Sequence, residues 1–253
     1  MGAARAKMMS AAKTWFFMTV DYAYGRSLQA EATQFIEAHG GTMRGSAKHL
    51  FETEDFSSDI VNAQSSAAQL IGLATKTPQI SNTVVWAAKF GINQASQQRL
   101  APIALFSNDV KGLGLQTAQG LLLTQSFYWD EDEAIRAFSH RFSDRFSGPY
   151  NRMPNTLQAS IYAAFKHSLS AVKAAGTDET ATVVAEMKAT PVNDFMTPNG
   201  VIEANWRVLR DVSVFRVKTP AQSSGEWDLL TQLATIPGQE ASSAPDPACS
   251  LVR

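Results

Sequence analysis

The stretch that decides the fold is TWFFMTV-DYAYG-RSLQAEATQFIEAHGG, residues 14–41. Thr14–Val20 is a short apolar run rich in aromatic and β-branched residues, which is typical of a strand buried on both faces of a sheet. A polar and aromatic loop, Asp21–Gly25, interrupts the run. Apolar residues then recur at helical spacing, at Leu28, Ala32, Phe35 and Ile36, and two glycines end the helix. This order predicts a strand, a loop and an amphipathic helix.

The same unit recurs further along the chain, so the sequence predicts an α/β fold with a parallel sheet and right-handed crossovers. We expect parallel strands in one sheet at Trp15–Val20, Leu70–Ala74, Ile103–Phe106 and Leu121–Thr124. Between the first two, Thr42–Glu54 is predicted to be irregular or a weak strand.

The pattern changes after residue 130, where the sequence predicts helices rather than further βα units. The expected helices are Glu131–Phe146, Pro154–Ala175 and Asp178–Ala189. A hairpin-like pair of strands is expected at Gly200–Ala204 and Val212–Val217. A tail rich in Ser, Pro and Ala closes the chain.

Composition excludes several functions. The chain has 253 residues, a net charge of -1 and no long basic run, which argues against a nucleic-acid partner. Its single cysteine, Cys249, excludes a disulfide within the chain and a cysteine metal cluster. No apolar run approaches the ~20 residues of a membrane span. The apolar run before Asp21 is also too short for a secretion signal.

Polar side chains follow three of the predicted strands. Tyr22 and Tyr24 follow the first, Thr75 the second, and Asn108 and Asp109 the third. Because the carboxyl ends of parallel strands meet at one edge, these loops suit a small ligand. Each also has a structural interpretation: packing for the tyrosines, turn capping for the threonine, and a helix N-cap for Asp109.

Signals for catalysis and cofactors are weak. Gly112-Leu113-Gly114 begins like a dinucleotide fingerprint, but Thr117 stands at the third glycine position. His140 and Asp144 share a helix face without a third metal ligand. We find no set of acid, base and nucleophile, and we expect no cofactor, no metal and no enzymatic activity.

Six separated segments, in order, resemble the solute-binding proteins of branched-chain amino-acid-type ABC transporters. They are WFFMTVDYAYG (15–25), EAHGGTMRGSAKH (37–49), FETEDFSSDIVNAQSS (51–66), AAKFGINQ (87–94), NDVKGLGLQTAQGLLLTQSFYWD (108–130) and VFRVKTPAQSSGEWD (214–228). The resemblance runs from about Lys13 to Arg253. It implies a type 1 periplasmic-binding-protein fold of two α/β lobes that closes on an amino acid, an amide or a small carboxylate.

The resemblance also implies partners, location and binding residues. The partners would be the small-molecule ligand and a membrane permease. The family location is the periplasm, and the absence of a recognisable signal peptide leaves cytoplasmic retention as an alternative. Residues matched to the family's binding positions are Tyr22, Tyr24, Ala74, Thr75, Asp109 and Tyr162.

On this resemblance the chain lacks most of the first lobe. We expect a remnant at 1–13, the second-lobe α/β domain at 14–123, first-lobe helices at 124–190, returning strands at 191–240 and a tail at 241–253. The helix faces that would lose their partner sheet carry Ile135, Phe138, Phe142, Ile161, Phe165 and Leu169. We therefore expect weak binding. The alternatives are a small α/β enzyme using the same sheet edge and a non-functional remnant.

Overall fold

The structure is a computed structural model that describes residues 12–92, 97–146 and 152–242. Nearly all of the expected remnant at 1–13 and tail at 241–253 lies outside these residues. The strands are β1 (Thr14–Val20), β2 (Thr42–His49), β3 (Leu70–Ala74), β4 (Arg99–Pro102), β5 (Leu122–Gln125), β6 (Val212–Val217) and β7 (Leu230–Ile236). The helices are α1 (Ala23–Ala38), α2 (Ser57–Ser65), α3 (Gln79–Lys89), α4 (Ser107–Leu113), α5 (Leu115–Ala118), α6 (Glu133–Arg145), α7 (Thr156–Ala175), α8 (Thr180–Ala189) and α9 (Gly238–Ala241).

The first sheet has the order β2-β1-β3-β4, and all of its paired strands are parallel. β1 is central, with Phe17 opposite Gly72 of β3. The Phe17 ring occupies the space beside Gly72, where a Cβ atom would approach the ring to 2.4 Å. The predicted α/β class with a parallel sheet flanked by helices is confirmed.

Two parts of this sheet differ from the sequence prediction. The third predicted strand, Ile103–Phe106, is wrong, because the strand ends at Pro102 and Leu105 is buried in the following loop. β2 is a full strand of eight residues with a mostly exposed pattern. It lies at the edge of the sheet, so it lacks the apolar run that marks the central strands.

The fourth predicted strand belongs to a different sheet. β5 pairs within the three-stranded order β5-β6-β7, so its expected place in the first sheet is wrong. The predicted hairpin of Gly200–Ala204 with Val212–Val217 is also wrong, because β6 lies between β5 and β7. Around residue 200 only isolated bridges form, Val192 with Gly200 and Ile202 with Val208.

The chain divides into two compact units. Unit 1 comprises residues 1–124 and 213–235, and unit 2 comprises residues 125–212 and 236–253. Residues 191–212, which sequence analysis groups with the returning strands, lie in unit 2. A core cluster of unit 1 joins the first sheet to α1 through Trp15, Phe17, Ile36, Leu70, Ala74 and Ala101.

Unit 2 has its own core. This core buries some of the apolar helix residues that sequence analysis expects to be exposed. Ile135 and Phe138 are 6% and 3% exposed, and they pack with Phe127 and Ala159. Phe142 is half-buried against the same cluster. The prediction that this face of α6 is exposed is therefore wrong, because α7 and neighbouring loops cover it. The outer face of α7 remains exposed as expected.

Candidate ligand-binding site

The candidate site lies at the carboxyl-terminal edge of the first sheet. β1 and β3 run parallel, so Tyr22 and Thr75 follow strand ends on the same side. Asp109 reaches that edge as well, because β4 runs parallel to β3 and Asp109 lies in the first turn of the helix that follows β4. The loops share one edge, as the sequence predicts, while their role in binding stays a prediction.

Three exposed rings form what we call the aromatic surface: Tyr22, Tyr24 and Phe51. The two tyrosine rings are stacked with centroids 6.1 Å apart. The Phe51 ring stands edge-on to Tyr22 at 6.0 Å. Each ring is between 38% and 44% exposed, so the surface can cover an apolar ligand body without rearrangement. The tyrosines therefore pack against neighbouring rings, as the structural interpretation predicts, but they are not buried.

Lys76 places a positive charge beside this surface. Its Nζ lies 4.4 Å from the centroid of the Phe51 ring, within cation–π range. The side chain forms no ion pair with a carboxylate of the described residues. Gln79 anchors the loop that carries Phe51, since its Nε2 donates to the Phe51 carbonyl oxygen. A cation next to exposed rings suits an anionic group attached to an apolar body.

Thr75 offers a buried hydroxyl at the end of β3. It is 1% exposed, and its Oγ1 has no hydrogen-bond partner among the described residues. A buried hydroxyl without a partner costs free energy unless water or a ligand supplies the bond. Ala74, the preceding predicted site residue, is fully buried, and its assignment to the ligand site depends on the resemblance alone.

Gly25 sets how closely α1 approaches this edge. A Cβ atom at Gly25 would lie 2.2 Å from the Val20 carbonyl oxygen and 2.9 Å from that of Ala74. The glycine therefore lets the first turn of α1 pack directly on the ends of β1 and β3. This close approach positions Tyr22, the N-cap of α1, and Tyr24 in its first turn.

Asp109 lies in the first turn of α4, so the loop in which sequence analysis places Asn108 and Asp109 is helical instead. Its Oδ2 accepts a 2.9 Å hydrogen bond from the Phe106 backbone N–H. Asp109 thus caps the helix from its third position, whereas the N-cap that sequence analysis expects at Asp109 lies at Phe106. Burial raises the pKa of Asp109, and the bonds from Phe106 and Thr77 offset only part of that rise. The carboxylate is held in place before any ligand arrives.

A second carboxylate at this edge, that of Asp21, is already paired with cations. Asp21 Oδ1 lies 3.1 Å from Arg26 Nε and 3.8 Å from Lys48 Nζ. The Arg26 hydrogen bond is the largest cause of the lowered pKa of Asp21. Because Asp21 is paired, it does not cancel the charge that Lys76 presents.

Tyr162 lies on α7 in unit 2. It is 42% exposed, and its ring centroid is 5.0 Å from Phe138 and 6.0 Å from Phe195. The ring therefore borders the aromatic core of that unit. Its assignment to the ligand site still depends on the resemblance alone.

Sequence reasoning missed Phe51, Lys76 and Gln79. Phe51 and Lys76 follow strands β2 and β3, so the rule that located Tyr22 and Thr75 also applies to them. Phe51 was missed because β2 is not marked by an apolar run. Nothing in the local sequence indicates that the Lys76 ammonium group turns toward a ring on another loop.

The described ranges contain neither a cluster of metal ligands nor a helix that could span a membrane. No three His, Cys, Asp or Glu side chains there are grouped as metal ligands. Every helix in the same ranges is too short or too polar to cross a bilayer.

A parallel sheet with aromatic, hydroxyl and cationic side chains at its carboxyl edge is typical of α/β ligand-binding domains. Residues 1–226 match the model of the family described as periplasmic binding protein. The chain belongs to this family, as the resemblance predicts.

Solved structures agree with this membership. A periplasmic binding protein from Burkholderia mallei is 37% identical over 96% of this chain and 62% of its own, with a TM-score of 0.85. A branched chain amino acid ABC transporter periplasmic ligand-binding protein from Burkholderia xenovorans LB400 is 33% identical over 95% and 64%, with a TM-score of 0.83. A search of curated proteins found no match.

The fold extends to more distant proteins. A solute binding protein from R. palustris, in complex with 4-hydroxybenzoate, has a TM-score of 0.80 at 17% identity over 93% of this chain and 64% of its own. The chain thus spans less than two thirds of the length of each of these proteins.

Proposed function

We propose that this chain supplies a ligand-binding surface of the solute-binding component of an ABC importer. Its ligand is a small carboxylate with an apolar or aromatic body, a class that includes amino acids. One observation carries the proposal: Lys76, without a carboxylate partner in the described residues, lies beside the aromatic surface. The relative from Burkholderia xenovorans, named for branched chain amino acids, supports the same class.

Each group has a distinct part in the proposed site. Lys76 pairs with the ligand carboxylate, and the rings of Tyr22, Tyr24 and Phe51 cover its apolar body. The Thr75 hydroxyl donates to a ligand oxygen and so gains the bond it lacks. Asp109 accepts from an ammonium or hydroxyl group. Tyr162 and Ala74 are further proposed contacts, taken from the resemblance.

We propose that the 253-residue chain alone binds weakly. The rings are about 40% exposed, so a ligand on them keeps one side in water. A charge pair in water is worth about a quarter of its value at an effective dielectric constant of ~20. Against an association cost of at least ~4 kcal/mol, one exposed charged contact leaves little net affinity. The permease as partner and the periplasm as location are likewise proposals from the family.

Ligand-observed NMR tests the proposal, because it detects dissociation constants in the millimolar range. The panel is leucine, phenylalanine, benzoate and 4-hydroxybenzoate, with benzamide as the uncharged match of benzoate. We expect at least one carboxylate to bind and to lose at least fivefold in affinity in Lys76→Met. Benzamide should show no such dependence. Carboxylate binding that is equal in wild type and Lys76→Met would overturn the assigned role of Lys76.

Arg26→Met is the matched control for that experiment. Arg26 is a cation near the same edge, but it is paired with Asp21. The substitution removes the same charge from the chain and should leave carboxylate affinity within twofold of wild type. An equal loss in both variants would show that net charge alone, rather than Lys76, governs binding.

A further inference from the structure

Unit 2 contains a pocket of about 270 Å³, which we call the Trp206 pocket. It lies between α7, α8 and residues 192–210. Its apolar walls are formed by Met187, Val192, Ile202, Trp206 and Val208. Among the described residues, no Asp or Glu side chain lines it. A cavity of ~150 Å³ holds benzene, so this pocket has room for a molecule built on a single ring.

The Trp206 pocket does not depend on the exposed outer face of α7. Ala163 and His167 line the pocket, whereas Ile161 and Phe165 belong to the outer face. Residues two positions apart point about 200° apart around a helix, so the two sets face opposite ways. The pocket side of α7 is held against α8, since His167 Nε2 donates a 2.9 Å hydrogen bond to the Met187 carbonyl oxygen. The walls of the pocket therefore come from unit 2 itself.

Trp206 forms one wall of the pocket in a backbone conformation that disfavours it. Its φ is 68°, in the left-handed region, where the Cβ atom of a large residue crowds the backbone. The turn is closed by the Trp206 N–H, which donates a 2.9 Å hydrogen bond to the Glu203 carbonyl oxygen. Lys188 Nζ lies 3.8 Å from the ring centroid and holds the ring in place. Backbone strain of this kind is concentrated at functional sites, where the surrounding structure holds it.

Arg210 also lines the pocket and has hydrogen-bond donors to spare. A guanidinium group carries five N–H groups in a fixed plane. Nη1 donates to Asp194 Oδ1 and to Thr197 Oγ1, and Nη2 donates to Asp194 Oδ2. One N–H on Nε and one on Nη2 then have no partner among the described residues. These two N–H groups lie on the same edge of the plane, which matches the two oxygen atoms of a carboxylate.

We propose that the Trp206 pocket binds a small aromatic carboxylate and is a second binding site of the chain. The carboxylate accepts hydrogen bonds from Nε and Nη2 of Arg210, and the ring of the ligand packs against Trp206 and the aliphatic walls. Lys188 beside Trp206 and Lys166 in the adjoining cavity form no ion pair in the described part of the chain, so both favour an anion. This site is independent of the function proposed for the sheet edge.

Fluorine NMR of the 253-residue chain labelled with 5-fluorotryptophan tests the proposal at Trp206 itself. Trp206→Phe identifies the Trp206 signal, and the probes are benzoate and its uncharged match benzamide. Benzoate should shift this signal in a saturable way, with a midpoint at least fivefold below that of benzamide, which lacks the second carboxylate oxygen. Arg210→Lys keeps a cation beside Asp194 but loses the two-donor edge, so the benzoate midpoint should rise at least fivefold. Should Arg210→Lys not fold, the contrast between benzoate and benzamide in wild type still tests the role of Arg210.

Ala164→Leu should abolish the shift, because Ala164 lines the pocket and the larger side chain fills it. Ala174→Leu is the matched control, since Ala174 is exposed on the same helix and does not line the pocket. It should leave the benzoate midpoint within twofold of wild type. Lys76→Met should do the same, because Lys76 belongs to the sheet edge.

Three results would contradict the proposal. A Trp206 signal that does not respond to benzoate, or that responds equally in Ala164→Leu, would overturn the pocket as a binding site. Equal midpoints for benzoate and benzamide would overturn the role of Arg210 and the carboxylate class. Loss of the shift in Lys76→Met would overturn the independence of the two sites.

Discussion

The ammonium group of Lys76 lies 4.4 Å from the centroid of the Phe51 ring, although the two residues follow different strands. The contact joins the loops after β2 and β3 and fixes a positive charge beside the aromatic surface. An exposed cation–π contact of this kind is worth about 0.5–1 kcal/mol. It is the relationship on which the proposed ligand class depends.

A double-mutant cycle measures this contact. Phe51→Leu, Lys76→Met and the double variant should show a coupling energy of about 0.5–1 kcal/mol in urea unfolding. Leucine keeps an apolar side chain at position 51 but removes the ring face. A coupling energy near zero would mean that the two side chains do not hold each other in solution.

Thr75→Val should separate binding from stability. Valine has nearly the shape of threonine, and the Thr75 hydroxyl has no partner in the described part of the chain. Removing an unpaired buried hydroxyl should leave the free energy of unfolding unchanged or raise it by up to about 1–3 kcal/mol. Carboxylate affinity should fall. Ligand-observed NMR and urea unfolding on the same samples check both halves, and a clear loss of stability would contradict the assignment.

Gly25→Ala should destabilise unit 1. The new methyl group would meet the backbone oxygen atoms of Val20 and Ala74 at 2.2 and 2.9 Å, so α1 must move. Overpacking of this kind costs about 1–3 kcal/mol. Gly112→Ala is the matched control, because beyond the neighbouring residues and the backbone of its own helix no atom lies within 4 Å of its added Cβ. That change should be neutral or stabilise α4 by about 0.5–1 kcal/mol. Equal effects would rule out the steric explanation.

The sequence is most informative where burial and secondary structure coincide. β1 and β3 are central strands, and their apolar runs predict their positions within one residue. The same signal fails at Ile103–Phe106, because Leu105 is buried there without strand pairing. An apolar run reports removal from water, whereas a strand is defined by backbone hydrogen bonds. β2 shows the converse, since its backbone is paired while most of its side chains are exposed.

The sequence likewise predicts some parts of the candidate site and not others. The position of Tyr22 and Thr75 follows from strand order, which the βα pattern encodes. The Lys76–Phe51 contact depends on the path of two loops, and no local pattern specifies that path. Asp109 was placed in a loop because its neighbours are polar, but its bond to the Phe106 N–H starts a helix there. Capping chemistry and ligand chemistry use the same residue types, so sequence alone left both interpretations open.

Asp194 and Arg210 form a buried ion pair in unit 2. We expect this pair to make the free energy of unfolding depend on pH. Asp194 Oδ1 accepts from Arg210 Nη1 at 3.0 Å and Oδ2 from Nη2 at 2.7 Å. The side chains are only 3% and 13% exposed. Burial raises the pKa of Asp194, but the Arg210 bonds and charge, with backbone N–H groups, outweigh it, so the pKa is lowered.

Asp194→Asn should therefore destabilise the protein strongly at neutral pH. Removing one partner leaves the Arg210 charge buried without its counter-ion, which costs about 3–5 kcal/mol. Because the folded pKa of Asp194 is lowered, its contribution is present above the unfolded value of about 3.9 and is lost as the pH falls through the folded pKa. Wild type should thus lose stability on acidification, and the difference from Asp194→Asn should shrink.

Urea unfolding between pH 7 and pH 3 measures this difference in the free energy of unfolding. Asp21→Asn, at an exposed ion pair, is the control and should differ little from wild type at any pH. A gap between wild type and Asp194→Asn that stays constant down to pH 3 would show that packing, rather than the ion pair, holds these residues together.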